Sequence, residues 1–124
     1  MIYGIGIDII EVERIRKAIN KNSNFKKKIF TKKEIAYCES HKNSAQCFAA
    51  RFACKEAFVK ALGIGLRKGI NFSDIEIENN EIGKPFMKTY KNAEKIIKRE
   101  NINNIHVSLS HIKNFTNAIV LLEI

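Results

Sequence analysis

The opening Met1-Ile2-Tyr3-Gly4-Ile5-Gly6-Ile7-Asp8 constrains this chain more than any other feature. It reads as a strand over Ile2 to Asp8. A period of two puts Ile5 and Ile7 on one face, and Gly4, Gly6 and Asp8 on the other. Glycine weakens a strand, so two on one face suggest close approach by another element. Asp8 ends that cleared face. It is one of two aspartates in a chain with 13 acidic residues, 22 basic ones and a net charge of +9. An aspartate kept at the end of an apolar strand in so basic a chain points to a use for it.

The rest of the chain supplies partners for that strand. Glu11 to Asn20 reads as a helix with Val12, Ile15 and Ile19 as its stripe. Ser23 to Lys28 reads as a polar connector, with Lys26-Lys27-Lys28 a solvated charge run. Thr31-Lys32-Lys33-Glu34 is a capping box opening a short helix to about Ser40. A long helix is expected from about Ala45 to Leu62, with Phe48, Phe52, Val59 and Leu62 inward and Gly63 as its cap. Ile70 to Glu78 alternates as a half-buried strand with Ile75 and Ile77 inward. Thr89 to Glu100 reads as an amphipathic helix with Tyr90, Ala93, Ile96 and Ile97 toward the core. Ile105–Ser110 and Thr116–Glu123 read as two final strands. The expected class is α+β, a small antiparallel-type sheet covered by helices. The 124 residues suit one compact domain over 1–124.

Composition excludes several classes. The longest aliphatic run, Ala118 to Leu122, falls far short of the roughly 20 residues of a membrane span. No basic residue precedes the apolar N-terminus, which therefore does not read as a signal peptide. Cys38, Cys47 and Cys54 are odd in number and form no CxxC pair. A disulfide framework or zinc site is not expected, and Cys47 and Cys54 read as buried free thiols in a reducing cytoplasm. The charge of +9 attracts anions such as nucleic acid, acidic membrane, phosphorylated metabolites or an acidic protein.

The richest constellation is Arg51-Phe52-Ala53-Cys54-Lys55-Glu56-Ala57-Phe58-Val59-Lys60-Ala61-Leu62-Gly63. Glu56 and Lys60 share a helix face at i and i+4, where a plain surface ion pair is one reading. Ala53, Ala57 and Ala61 beside them mark a face packed close to something. If that face meets Gly4 and Gly6, Asp8 and Glu56 converge. Two carboxylates held together call for a cation or a shared proton, and oxygen ligands with open positions suit Mg²⁺. Lys60 beside them is a positive charge for a phosphate. An N-cap or turn role for Asp8 is the alternative.

At these residues the chain resembles the holo-[acyl-carrier-protein] synthase family, the small 4′-phosphopantetheinyl transferases. The resemblance rests on Gly4-Ile5-Gly6-Ile7-Asp8-Ile9-Ile10-Glu11, on the helix from Arg51 to Gly63, on Gly83-Lys84-Pro85, and on His106-Val107-Ser108-Leu109-Ser110-His111. It covers nearly the whole chain. It implies that Mg²⁺-assisted chemistry moves the 4′-phosphopantetheine arm of coenzyme A to a serine of acyl carrier protein, for fatty acid biosynthesis. The second product is adenosine 3′,5′-bisphosphate. Asp8 and Glu56 match the family's metal ligands, and Lys60 its active-site lysine.

The resemblance further implies coenzyme A contacts at Arg51, Lys60, Gly63, Gly65, Lys84, Pro85, His106, Ser108 and Ser110. His106, Ser108 and Ser110 alternate on one strand face, where they bind nucleotide or merely hydrogen-bond within the sheet. Gly63 and Gly65, with Arg67 and Lys68, line a phosphate loop or form a helix cap and turn. Arg14, Lys17 and Lys21 form a basic row for the acidic carrier protein. A cytoplasmic homotrimer with sites between subunits is implied, without nucleic-acid or membrane binding. Two departures stand out: Ile112 follows the motif where relatives often carry a polar residue, and Phe72 stands where tryptophan is common. The competing readings are a small basic nucleic-acid-binding protein and a non-catalytic adaptor for an acidic protein. The chain shows no RNP-like or helix-turn-helix signature for the first.

Overall fold

The computed structural model describes residues 1–64 and 69–124. Strand β1 (Ile2–Glu11) leads into helix α1 (Val12–Lys21), α2 (Phe25–Ile29), α3 (Lys32–Glu39) and the long α4 (Ser44–Leu62). A 3-10 turn at Phe72–Asp74 opens a hairpin of β2 (Ile75–Asn79) and β3 (Pro85–Thr89). Helix α5 (Lys91–Arg99), β4 (Asn104–His111) and β5 (Phe115–Glu123) follow. Strands β1, β5 and β4 form an antiparallel sheet in that order, and β2 and β3 form a second, two-stranded one. The α+β class read from the sequence is the class observed.

Helix α4 is the axis of the fold. Asn43 Oδ1 accepts from the Gln46 backbone N–H at its start, and Gly63 ends it in the left-handed region at φ 75°. It packs against the glycine face of β1. A Cβ on Gly4 would fall on the carbonyl oxygen of Ala61, and one on Gly6 on that of Ala57. Glycine on the strand and alanine on the helix are thus one device: they let two backbones approach until no side chain fits between them. Phe48, Phe58, Ile75, Ile77, Val120 and Leu122 fill the core around this contact, each almost fully buried.

Among the described residues, no helix covers the other face of the three-stranded sheet. Ile5, Ile7 and Ile9 of β1 are 55–66% exposed, and Ile119 of β5 lies beside Ile7. Burial on one side only follows from the number of helices: the chain's long apolar helix is committed to the glycine side.

A buried ion pair ties the helical layer together. Lys55 Nζ donates to Glu34 Oε1 at 2.6 Å, to the Ile29 carbonyl at 2.7 Å and to the Phe72 carbonyl at 2.9 Å. Glu34 in turn accepts from the backbone N–H groups of Thr31 and Ile77. The pair thereby joins α2, α3, α4 and β2. The Thr31–Glu34 capping box forms as the sequence predicts, but it does not reveal the pairing with Lys55.

Five readings need correction. The half-buried strand expected over Ile70 to Glu78 begins only at Ile75, after the 3-10 turn, and Glu76 is buried in it along with Ile75 and Ile77. The segment expected as a connector holds α2. Phe25 there packs on Phe30 and Phe52, so a short apolar contact stabilises what composition alone left polar. Lys26 is not simply solvated, because it pairs with Glu39 at 2.6 Å. Tyr90 stands before α5 rather than inside it, 41% exposed, and its hydroxyl donates to Glu76. Finally, Cys38 and Cys47 form a disulfide with Cα atoms 5.4 Å apart, and only Cys54 is free and buried. The turn after α3 folds the start of α4 back on it, a pairing that helical spacing along one element does not reveal. Burial pushes the Cys54 thiol up to about 12, which leaves it unreactive.

Candidate active site

Asp8 reaches the site from the glycine face of β1, and Glu56 and Lys60 reach it from α4. Lys60 Nζ lies 3.2 Å from Asp8 Oδ1 and 3.0 Å from the Ile7 carbonyl oxygen. Burial, and then the charge of Asp8, raise the Glu56 carboxyl above its ordinary value, while Lys60 and Arg14 pull it down. Lys60 is thus in contact with Asp8, whose charge also reaches Glu56, an arrangement that the sequence pattern anticipated. Its cause is the close helix–strand approach that Gly4 and Gly6 permit.

Two mutually repelling carboxylates of this kind fit a hard divalent cation. No third His, Cys, Asp or Glu joins them into a ligand cluster among the described residues. Such a cation would keep open positions for water and phosphate oxygens, as Mg²⁺ prefers.

A second site lies on another side of α4. Arg51 is 3% exposed, and its guanidinium lies over the Tyr37 ring at 4.4 Å. It donates to Asn79 Oδ1 at 2.8 Å. No carboxylate forms a salt bridge with it among the described residues, and its Nε has no partner. A buried guanidinium with no carboxylate on it is suited to bind an anion. The groove it lines holds about 440 Å³ and also includes Lys42, Gly83, Pro85 and His111.

The remaining candidates scatter. Lys84 is exposed in the hairpin turn between Gly83 and Pro85. Gly63 caps α4, and Gly65, Arg67 and Lys68 lie outside the described residues. His106, Ser108 and Ser110 stand on the uncovered face of the sheet, where His106 contacts Glu123 and Ser110 contacts Asn117. The groove instead takes His111, at the end of the same strand, together with Tyr37 and Asn79. His111 was visible as the last residue of the His-Val-Ser-Leu-Ser-His run; Tyr37 and Asn79 had no signal. Arg14, Lys17 and Lys21 are all exposed on α1.

A strand-held aspartate against a helix-borne Glu-x-x-x-Lys, with a cationic groove on another side of the same helix, suits a phosphate-handling transferase. Residues 4–119 match the family model of the 4′-phosphopantetheinyl transferase superfamily. A holo-[acyl-carrier-protein] synthase of Geobacter sp. (strain M21) is 46% identical over 124 residues, covering 99% of each chain. The crystal structure of the Neisseria meningitidis holo-[acyl-carrier-protein] synthase matches with a TM-score of 0.90 at 34% identity, over 99% of both chains. That of Bacillus anthracis, in complex with CoA (3′,5′-ADP), matches with a TM-score of 0.82 at 40% identity, over 98% of this chain and 96% of that one. The chain belongs to the 4′-phosphopantetheinyl transferase superfamily, and to the holo-[acyl-carrier-protein] synthase family within it.

Proposed function

We propose that the chain transfers the 4′-phosphopantetheine group of coenzyme A to a serine of apo acyl carrier protein, for fatty acid biosynthesis in the cytoplasm. The serine oxygen forms a bond to the pantetheine-side phosphorus, the pyrophosphate P–O bond breaks, and adenosine 3′,5′-bisphosphate leaves. The observation that carries this reading is the convergence of Asp8, Glu56 and Lys60 beside the cleared face of β1. Asp8 and Glu56 would hold Mg²⁺, which when bound neutralises pyrophosphate charge and orients it for in-line attack. Lys60 offsets the negative charge that grows on the leaving phosphate. The serine proton passes to Glu56 or to a water beside it. Arg51 and His111 give the groove its preference for the nucleotide phosphates, and Pro85 its apolar wall.

The test is the intact mass of an apo carrier protein incubated with the chain, coenzyme A and Mg²⁺. A gain of one phosphopantetheine is expected, lost with EDTA. Carrier protein that binds without gaining mass would make the chain an adaptor and refute the reading.

The carrier protein is acidic, and α1 offers it Arg14, Lys17 and Lys21. The charge of Arg14 also reaches Glu56, so the basic row begins at the reacting carboxylates. Such charges steer encounter more than they add affinity. Arg14→Glu is expected to raise the KM for carrier protein several-fold at low salt and to leave coenzyme A binding unchanged. Steady-state kinetics with each substrate varied in turn will show it.

The reading includes a homotrimer, supported by the uncovered sheet face, where Ile5, Ile7, Ile9 and Ile119 form an apolar patch that neighbouring copies of the chain would bury. Arg51 and Glu56 are five residues apart, about 140° around α4, so one open surface does not serve both well. The groove extends through His111 to the cleft of Ile9, Ser110, Ile112 and Phe115 on that apolar side. A neighbour seated there borders the groove, which supports sites between subunits. Ile7→Lys should yield monomers in sedimentation velocity, with activity falling in step.

A further inference from the structure

We infer that Lys60 is the resident counter-ion of Asp8, displaced by the divalent cation, so that cation and pyrophosphate bind with a coupling that passes through Lys60. This rests on the metal assignment proposed above. The geometry supports it in three ways. Lys60 Nζ touches Asp8 Oδ1 at 3.2 Å and the Ile7 carbonyl oxygen at 3.0 Å, so it holds the same strand end that a metal on Asp8 would need. The Lys60 side chain is 54% exposed while that of Asp8 is 16% exposed, so the lysine is the member free to leave. The two carboxylates are balanced by two cations of different kinds: Lys60, in contact, and Arg14, which acts on Glu56 only at a distance.

An ammonium and a divalent cation repel strongly at contact distance. A cation that takes Asp8 therefore expels Lys60 from both of its oxygen partners. The freed ammonium then needs an anion, and the pyrophosphate of coenzyme A supplies one. Cation binding thus prepares the lysine for the phosphate. By linkage, coenzyme A must favour cation binding by the same factor. Alone, the cation must break the Lys60–Asp8 pair, which keeps its affinity low until coenzyme A is present.

The experiment measures binding without turnover. Mn²⁺ affinity is read from the free-ion paramagnetic resonance signal, with and without coenzyme A and with no carrier protein present. It is measured for the wild type, Lys60→Met and Arg14→Gln. Lys60→Met is expected to bind Mn²⁺ alone about fivefold more tightly, the upper range for an ion pair of this exposure. The enhancement of Mn²⁺ affinity by coenzyme A should shrink by a similar factor. Arg14→Gln removes an equal charge that touches neither carboxylate in this structure, and should change Mn²⁺ affinity less than twofold. Unchanged or weaker Mn²⁺ binding in Lys60→Met overturns the inference. So does equal tightening in both variants, which would be a general charge effect rather than displacement. If none of the three proteins binds Mn²⁺, with or without coenzyme A, the metal assignment itself fails and takes the inference with it.

Discussion

Asp8→Asn and Glu56→Gln are each expected to lower the turnover number about a thousandfold or more, the scale at which a group that stabilises transition-state charge acts. On the proposed metal site, each removes a charged oxygen ligand with almost no change in size. The fold should persist in both, because neither side chain belongs to the buried core. Glu56→Gln carries a second signature. The folded protein raises the Glu56 carboxyl above its ordinary value, mainly by burial and then by repulsion from Asp8. In that pH window the folded state binds the proton more tightly than the unfolded state, so stability falls as pH rises through it. Above the window the wild type carries a penalty that glutamine lacks. Glu56→Gln should therefore melt slightly higher than wild type at neutral pH, and the gain should vanish below the ordinary carboxylate range. Thermal melts across pH, beside the intact-mass assay, test both halves. An active Glu56→Gln enzyme would remove Glu56 from the reaction.

Lys55→Met is expected to destabilise the fold by about 3–5 kcal/mol, because it leaves Glu34 buried without its cation. That is a large part of the roughly 5–15 kcal/mol that holds a domain together. Both side chains of the pair are fully buried, and α2, α3, the 3-10 turn and β2 all hang on it. The double variant Lys55→Met/Glu34→Met should recover most of the loss, since replacing both partners by apolar groups strands no charge. Urea denaturation of the three proteins measures this. Equal destabilisation by the single and double variants would mean that the cost is one of packing, not of an orphaned carboxylate.

The two residues behind these predictions sit side by side on α4 and were not equally legible. Glu56 could be placed from sequence, because Gly4, Gly6 and Asp8 on one strand face and Ala53, Ala57 and Ala61 on one helix face are complementary patterns. A backbone contact this close admits few residues, so it leaves a mark in both segments. Lys55 lies in the same run, yet nothing in the one-dimensional pattern says that its amine ends on Glu34, 21 residues earlier. Long-range polar pairing has no period.

The same distinction runs through the rest of the chain. Local chemistry determined the capping box at Thr31, the glycine cap at Gly63, the alternation of β5, and the basic row on α1. Each is set by hydrogen bonds or side-chain positions within a few residues. The tertiary structure alone decided which strand face would stay bare. It also placed His111, rather than His106 and Ser108, in the groove beside Arg51 with Tyr37 and Asn79, and it joined Cys38 to Cys47 across a turn. These outcomes depend on how α4 lies across the sheet and how the hairpin of β2 and β3 folds beside it. That docking satisfies burial summed over many distant residues, and no single segment records the sum.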